Sequence, residues 1–255
     1  MGKGASMTGW RGPVLITGTD TGVGKTIVTA ALAAAAGRAG LKVAVLKPAQ
    51  SGDDDDDAAT VARLAAPTTT VTLARYAEPL APLAAARIAG EPPLGLEPVV
   101  AAVHELAQKH DLVLVEGAGG LLVPMGTQGW TVRDLALRCG MSSLVVARAG
   151  LGTLSHTALT LEALACRPAV VVLGSWPSAL ELVHRSNLTD LTNAAGGARA
   201  LIAGAVPEGA GDLTPHQFRL AAPSWLAPVL HGTFNLESFR KSTQCLSQFS
   251  GIAAP

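Results

Sequence analysis

Aromatic residues make up only 4% of this 255-residue chain and charged residues only 15%, with 19 Lys and Arg balanced by 19 Asp and Glu. A neutral, sparsely charged chain has no basic excess with which to build a nucleic-acid surface or to seek an anionic membrane. No run of 18 apolar residues occurs, so no membrane-spanning helix is expected. Cys139, Cys166 and Cys245 lie far apart without paired spacing, which argues against a disulfide framework or a zinc site and for buried small side chains. The stretch from Met1 to Pro13 is glycine-rich, carries Lys3 and Arg11, and lacks the apolar centre of a signal peptide; residues 1–12 are therefore expected to be a flexible leader on a cytoplasmic protein. What the chain does have is 49% hydrophobic content, enough for one large α/β domain over residues 13–220. Residues 221–255 are harder to place. Phe218 and the later aromatics Trp225, Phe234, Phe239 and Phe249 carry no clear periodicity.

The punctuation alternates strand with helix. Apolar runs predict strands at Val14 to Thr17, Lys42 to Lys47, Leu112 to Val115, Ser143 to Ala147, Ala169 to Leu173 and Leu201 to Val206. Helices are expected at Lys25 to Gly37, where alanines carry the propensity, at Asp53 to Ala66, and at about Glu97 to His110. Pro48 is expected to end the second strand, and the proline-rich 78–98 region to hold short helical pieces. The connection from Leu164 through Arg167-Pro168 to Ala169 is tight. Interleaved strands and helices joined right-handedly give a doubly wound, mostly parallel sheet with helices on both faces, and such sheets bind ligands at the carboxyl ends of their strands.

One loop stands where that rule puts a site. Gly18-Thr19-Asp20-Thr21-Gly22-Val23-Gly24-Lys25-Thr26 follows the first strand and opens the first helix, the order of a phosphate-binding P-loop. The glycines let backbone N–H groups turn onto phosphate oxygens, Lys25 neutralises the outer phosphates, and the Thr26 hydroxyl is placed to ligate Mg²⁺. The spacing is a variant, since five residues separate Gly18 from Gly24.

Two further constellations follow strand ends. Lys47-Pro48-Ala49-Gln50-Ser51-Gly52 puts a lysine at the same crevice, where the alternative is a solvated strand-end lysine. Val115-Glu116-Gly117-Ala118-Gly119-Gly120 ends a buried strand with an acid able to hold Mg²⁺, followed by residues small enough for a ligand to approach the backbone.

These three motifs together with Leu151-Gly-Thr-Leu-Ser-His-Thr157 resemble, in order and separation, the dethiobiotin synthetases, over roughly residues 13 to 210. The family's loop has the same extra residue. The resemblance implies a homodimeric, Mg²⁺-dependent cyclo-ligase that closes a ureido ring on 7,8-diaminononanoate with CO₂ and a nucleoside triphosphate such as ATP. It also implies roles. Lys47, Thr21 and Lys25 act on phosphate and carbamate. Thr26, Asp57 and Glu116 surround Mg²⁺, with Asp57 picked from the run Asp53 to Asp57 because the family's metal acid lies six residues before an arginine, here Arg63; Asp56 is the runner-up. Nucleotide contacts are expected from Gly22, Val23, Gly24, Lys25, Thr26 and Ile27, from Asp57, from Glu116, Gly117, Ala118 and Gly119, and on the base side from the backbone of Gly174 and Ser175 with Pro207, Glu208 and Gly209 opposite. The diamine or its carbamate is expected at Lys47 and Ser51. Its distant carboxylate is expected at Leu151, Gly152, Thr153, Leu154 and Ser155, where a helix begins with free N–H groups, across the dimer interface.

The chain departs from the family at Ser155, usually asparagine, and after Leu173, where Gly174-Ser175-Trp176-Pro177 lacks the asparagine that reads adenine. A site without that bidentate partner is expected to accept other bases. Trp176 reads either as a stacking platform for the base or as a half-buried strand-end residue, the second being slightly favoured. His156 is read as a packing residue at an interface and not as a base. The rival from another class is a nucleotide switch of the partition or septum-positioning type. Those proteins carry a lysine five residues before the P-loop lysine, and here that position is Asp20.

Overall fold

The computed structural model describes residues 9–52, 56–164, 168–193 and 201–245. The expected leader up to residue 8, three of the five consecutive aspartates, Cys166 in the tight connection, and Phe249 lie outside the described residues. Seven strands form one parallel sheet: β1 (Gly12–Gly18), β2 (Val43–Ser51), β3 (Thr69–Tyr76), β4 (Leu112–Gly120), β5 (Ser142–Ala147), β6 (Ala169–Trp176) and β7 (Leu201–Pro207), in the order β3-β2-β4-β1-β5-β6-β7. The central strands are continuous apolar runs because both faces of the sheet are covered. Ile16 and Val14 face one helical layer and Leu15 the other, all at or below 1% exposure.

On one face pack α1 (Lys25–Arg38), α2 (Asp57–Ala65) and α8 (Pro215–Trp225). Helix α1 is buried almost all round from Val28 to Ala36, and its alanines let both the sheet and the two flanking helices come close. On the other face lie α3 (Pro82–Ala89), α4 (Leu96–Lys109), α5 (Val132–Cys139), α6 (Thr153–Ala163), α7 (Leu182–Asn193) and α9 (Leu236–Cys245). Helix α5 begins with a full capping box, in which the Thr131 side chain accepts from Asp134 N and Asp134 accepts from Thr131 N. No helix among the described residues is long and apolar enough to cross a membrane. Cys139 is a free, half-buried thiol whose pKa burial pushes up.

Two expectations change. Strand β3 adds to the six strands expected; its sequence, Thr69-Thr-Val-Thr-Leu-Ala-Arg-Tyr76, is polar because it is the sheet edge, half exposed along its length up to Tyr76. Pro48 does not end β2, which runs on to Ser51. It falls where pairing with β4 stops at Leu46↔Val115, while pairing with β3 continues through Ala49↔Ala74 to Ser51↔Tyr76. Beyond Leu46 and Val115 the two strands therefore part, and a crevice opens between them.

The C-terminal aromatics close the two layers. Phe218 is fully buried against α1's side of the sheet and meets Trp225 edge-on at 5.3 Å, and Leu226 bridges antiparallel to Gly204 of β7. Phe234, Phe239 and Trp176 form the matching cluster on the other face. Phe218→Ala is expected to lower the free energy of unfolding by about 3–5 kcal/mol, read from denaturant midpoints at unchanged m-value.

Candidate functional site

The carboxyl ends of β1, β2 and β4 and the segments that follow them line one cleft of about 470 Å³. The P-loop supplies Thr21, Gly22, Gly24, Lys25, Thr26 and Ile27, β2 supplies Lys47 and Ser51, α2 supplies Asp57, and the end of β4 supplies Glu116, Ala118 and Gly119. Gln50 and Thr60, which sequence reasoning did not single out, line the same space.

The centre of the cleft is an ion cluster. Lys47, 4% exposed, uses its ammonium on Asp57 Oδ2 at 2.5 Å, Glu116 Oε1 at 3.0 Å and the carbonyl oxygen of Gly117 at 3.2 Å. Burial alone would pull its pKa down, but Glu116 and then Asp57 outweigh that and hold it above the ordinary lysine value. The hydroxyl of Thr26, the residue after the P-loop lysine, donates toward Asp57 Oδ1 at 2.6 Å and Glu116 Oε1 at 3.0 Å. Three hard oxygen donors thus meet at the mouth of the phosphate loop. Among the described residues no three His, Cys, Asp or Glu side chains gather, so a metal held here would complete its shell with phosphate and water oxygens. Two carboxylates and a hydroxyl suit Mg²⁺ and not a nitrogen- or sulfur-seeking metal.

Neighbouring aspartates divide the work at the start of α2. Asp56 is the N-cap: its side chain accepts from Ala59 N at 3.0 Å and from Arg75 at 2.8 Å. Partial burial works against it, but the Ala59 N–H and the Arg75 guanidinium leave its pKa below the usual carboxylate value. Asp57, one residue on, is turned instead toward Thr26 and Lys47, and its N–H points at the Gln50 side-chain oxygen at 3.4 Å. Capping thus uses up Asp56 and aims Asp57.

The phosphate loop is held from two sides. Lys25 is 8% exposed and donates to the Asp20 carbonyl at 3.0 Å; desolvation lowers its pKa, with Glu116 pulling the other way. The Asp20 carboxylate accepts from Thr21 N at 2.7 Å and from Arg148 at 2.5 Å. On the opposite side the backbone of Gly174, at the end of β6, is pressed against Val23 and Gly24. A Cβ on Gly174 would overlap the Val23 carbonyl, and Gly24 takes a left-handed φ of 93°. Val23 itself is 3% exposed and turns its side chain into the core.

Outside the cleft lie the residues expected at the base and at the far end of the substrate. Ser175, Pro207, Glu208 and Gly209 are exposed, and the two loops are joined by Glu208 N donating to Trp176 O at 2.8 Å. Trp176 is 9% exposed and its ring meets Phe239 at 5.1 Å and His184 at 6.4 Å in T-shaped contacts, so it packs within the protein at the strand end. At the start of α6, Gly152 takes a φ of 85°, Leu151, Leu154 and Ser155 are exposed, and Thr153 is fully buried with its hydroxyl 3.4 Å from that of Thr157. Thr153 therefore keeps its side chain inside the protein, and its N–H donates to the Gly150 carbonyl at 3.4 Å. His156 is exposed beside Gly152.

The AAA domain model matches residues 13–209. The protein named ATP-dependent dethiobiotin synthetase BioD in Streptomyces avermitilis is 53% identical over 232 residues, covering 89% of this chain and 96% of that relative. The protein of the same name in Rhodococcus jostii is 52% identical over 220 residues, covering 83% and 93%. A solved ParA family ATPase from Chlorobium tepidum TLS is similar at a TM-score of 0.51 and 13% identity, covering 89% of this chain and 97% of that one, which is a likeness of fold. Matched along nearly the whole length of such relatives, and with its P-loop, lysine and two acids in one cleft, this chain belongs to the ATP-dependent dethiobiotin synthetase family, the ligases of biotin biosynthesis.

Proposed function

We propose that this enzyme works in the cytoplasm as a homodimer, on 7,8-diaminononanoate, CO₂ and a nucleoside triphosphate bound with Mg²⁺, and that ring closure runs through a phosphorylated carbamate. The observation that carries the reading is the Lys47 ammonium, buried between Asp57 and Glu116 beside Lys25 and Thr26. One substrate amine captures CO₂ as a carbamate. A carbamate oxygen takes the γ-phosphoryl group and the nucleoside diphosphate leaves; the second amine then attacks the carbamate carbon, closing the ureido ring and releasing phosphate. Every species is anionic, so positioning and charge stabilisation carry most of the catalysis.

Lys25 and the P-loop amides receive the phosphates, with Thr21 at the entrance, Gly22, Val23 and Gly24 forming the loop around them and Ile27 on the first turn of α1. Thr26, Asp57 and Glu116 hold Mg²⁺, which when bound neutralises phosphate charge. Gly117, Ala118 and Gly119 let the nucleotide approach the backbone closely, and Ser51 hydrogen-bonds the diamine or its carbamate. Lys47 serves carbamate and γ-phosphate. The exposed leucines of α6 and the turn before it, Leu151 at 81%, Leu154 at 40% and Leu159 at 61%, support a dimer that covers this face. The substrate carboxylate is received by the backbone at Leu151, Gly152, Thr153, Leu154 and Ser155. Nothing at Asp20 favours the switch-type reading, because that position is an acid paired with Arg148.

Lys47→Gln is expected to lower turnover by at least about a hundredfold while nucleotide still binds, as for a lost transition-state charge contact; unchanged turnover in a steady-state assay removes the assigned role. The same variant reports on the ion cluster. A lysine whose folded-state pKa is raised contributes stability in full below its unfolded value near 10.5 and loses it as pH climbs through the folded value. Without divalent cation, Lys47→Gln is therefore expected to be about 3 kcal/mol less stable than wild type near neutral pH, with the gap in urea unfolding narrowing only in strong alkali. At the base side, Gly174 and Ser175 offer backbone groups and no side-chain amide, opposite Pro207, Glu208 and Gly209. Turnover with ATP, CTP and GTP is expected to agree within about tenfold in kcat/KM; a thousandfold preference for ATP counts against it.

A further inference from the structure

After Ala147 the chain leaves β5 through Arg148, Ala149, Gly150 and Leu151 and turns at Gly152 into α6. This turn is fastened from outside. Asn187, on α7 and 8% exposed, donates its Nδ2 hydrogens to the carbonyls of Ala149 and Gly150, each at 2.9 Å. Both amide hydrogens are thereby used on consecutive carbonyls of one turn. A carboxamide is an expensive group to bury, and an aliphatic side chain would fill the same volume at lower desolvation cost; what it brings is two directed donors for the consecutive carbonyls of Ala149, which is buried, and Gly150, which is half-buried. The Gly150 carbonyl also accepts from Thr153 N at 3.4 Å, so the atom held by Asn187 is the one that starts the helix. Thr153 and Thr157, both buried, anchor the first turn of α6 from its inner side.

We infer that Asn187 is a positioning residue for substrate: by clamping Ala149 and Gly150 it fixes the direction in which the N–H groups of the first turn of α6 that follow Thr153 present themselves to the substrate carboxylate. This rests on the reading, given above, that residues 151–155 receive that carboxylate. Asn187 touches no substrate itself. Without its two bonds the turn gains backbone freedom around Gly150 and Gly152, and a carboxylate must then order the donors as it binds.

The test compares diaminononanoate with its methyl ester, which lacks the charge that the helix start would bind. Wild type is expected to favour the acid by about tenfold or more in kcat/KM, the scale of a hydrogen bond to a charged group. Asn187→Ala is expected to shrink that ratio to about threefold or less, through a raised KM for the acid with kcat retained, while nucleotide affinity by direct titration stays within about twofold. If the variant lowers acid and ester alike, Asn187 is merely structural and the inference falls. A wild type indifferent to acid or ester overturns the carboxylate reading itself, and the inference with it. Should Asn187→Ala fail to fold, Asn187→Gln keeps the donors on a longer stem and is expected to lose part of the ratio; a full ratio there overturns the inference.

Discussion

The site depends on a buried ammonium being shared by two carboxylates. Lys47 lies within β2, where the strand leaves β4, with almost no access to water, and burial of a lone lysine would cost more than a fold of this size can spare. Asp57 and Glu116, with the Gly117 carbonyl, remove that cost and are themselves compensated by it. The geometry follows from the sheet. Strands β2 and β4 run paired to Leu46 and Val115 and then part, so the next residue of each, Lys47 and Glu116, faces the crevice from opposite walls. Helix α2 closes the third side, and its cap decides which aspartate looks inward.

The loops around this cluster are held by groups whose own positions are far away in the chain. Arg148 at the end of β5 grips Asp20 in the phosphate loop, and Asn187 on α7 grips the turn that follows Arg148. The Gly174 backbone leans on Val23 and Gly24. Phosphate loop, β5 turn and β6 end are thus tied to one another along the carboxyl edge of the sheet. Preorganised donors and charges of this kind are what phosphoryl transfer asks of a protein.

Much of this was legible because the signals are local. Strand β4 is an apolar run ended by an acid, and the P-loop is a glycine spacing between a strand and an alanine-rich helix. The edge strand β3 was not legible, since a threonine-rich segment with only Tyr76 buried has the pattern of a loop. Nor was the course of β2 past Pro48, because a proline ends a ladder only on the side where its missing N–H is needed, and sequence does not say which neighbour lies on which side. Family spacing favoured Asp57 over Asp56, but the reason for the difference, a cap and an ion pair with Arg75, involves a strand that was not foreseen.

By itself the sequence determined the class of fold, the presence of a phosphate loop and the membership of a ligase family, since each rests on residues close together in the chain or on ordered motifs whose spacing carries the information. Only the tertiary structure decided that Lys47 is buried between Asp57 and Glu116, that Trp176 gives its ring to Phe239 and His184, and that Asn187 holds the turn before α6. Those are contacts between residues that stand apart in the chain. Their energies come from desolvation and direction, which exist only once the sheet has brought the partners within a few ångströms.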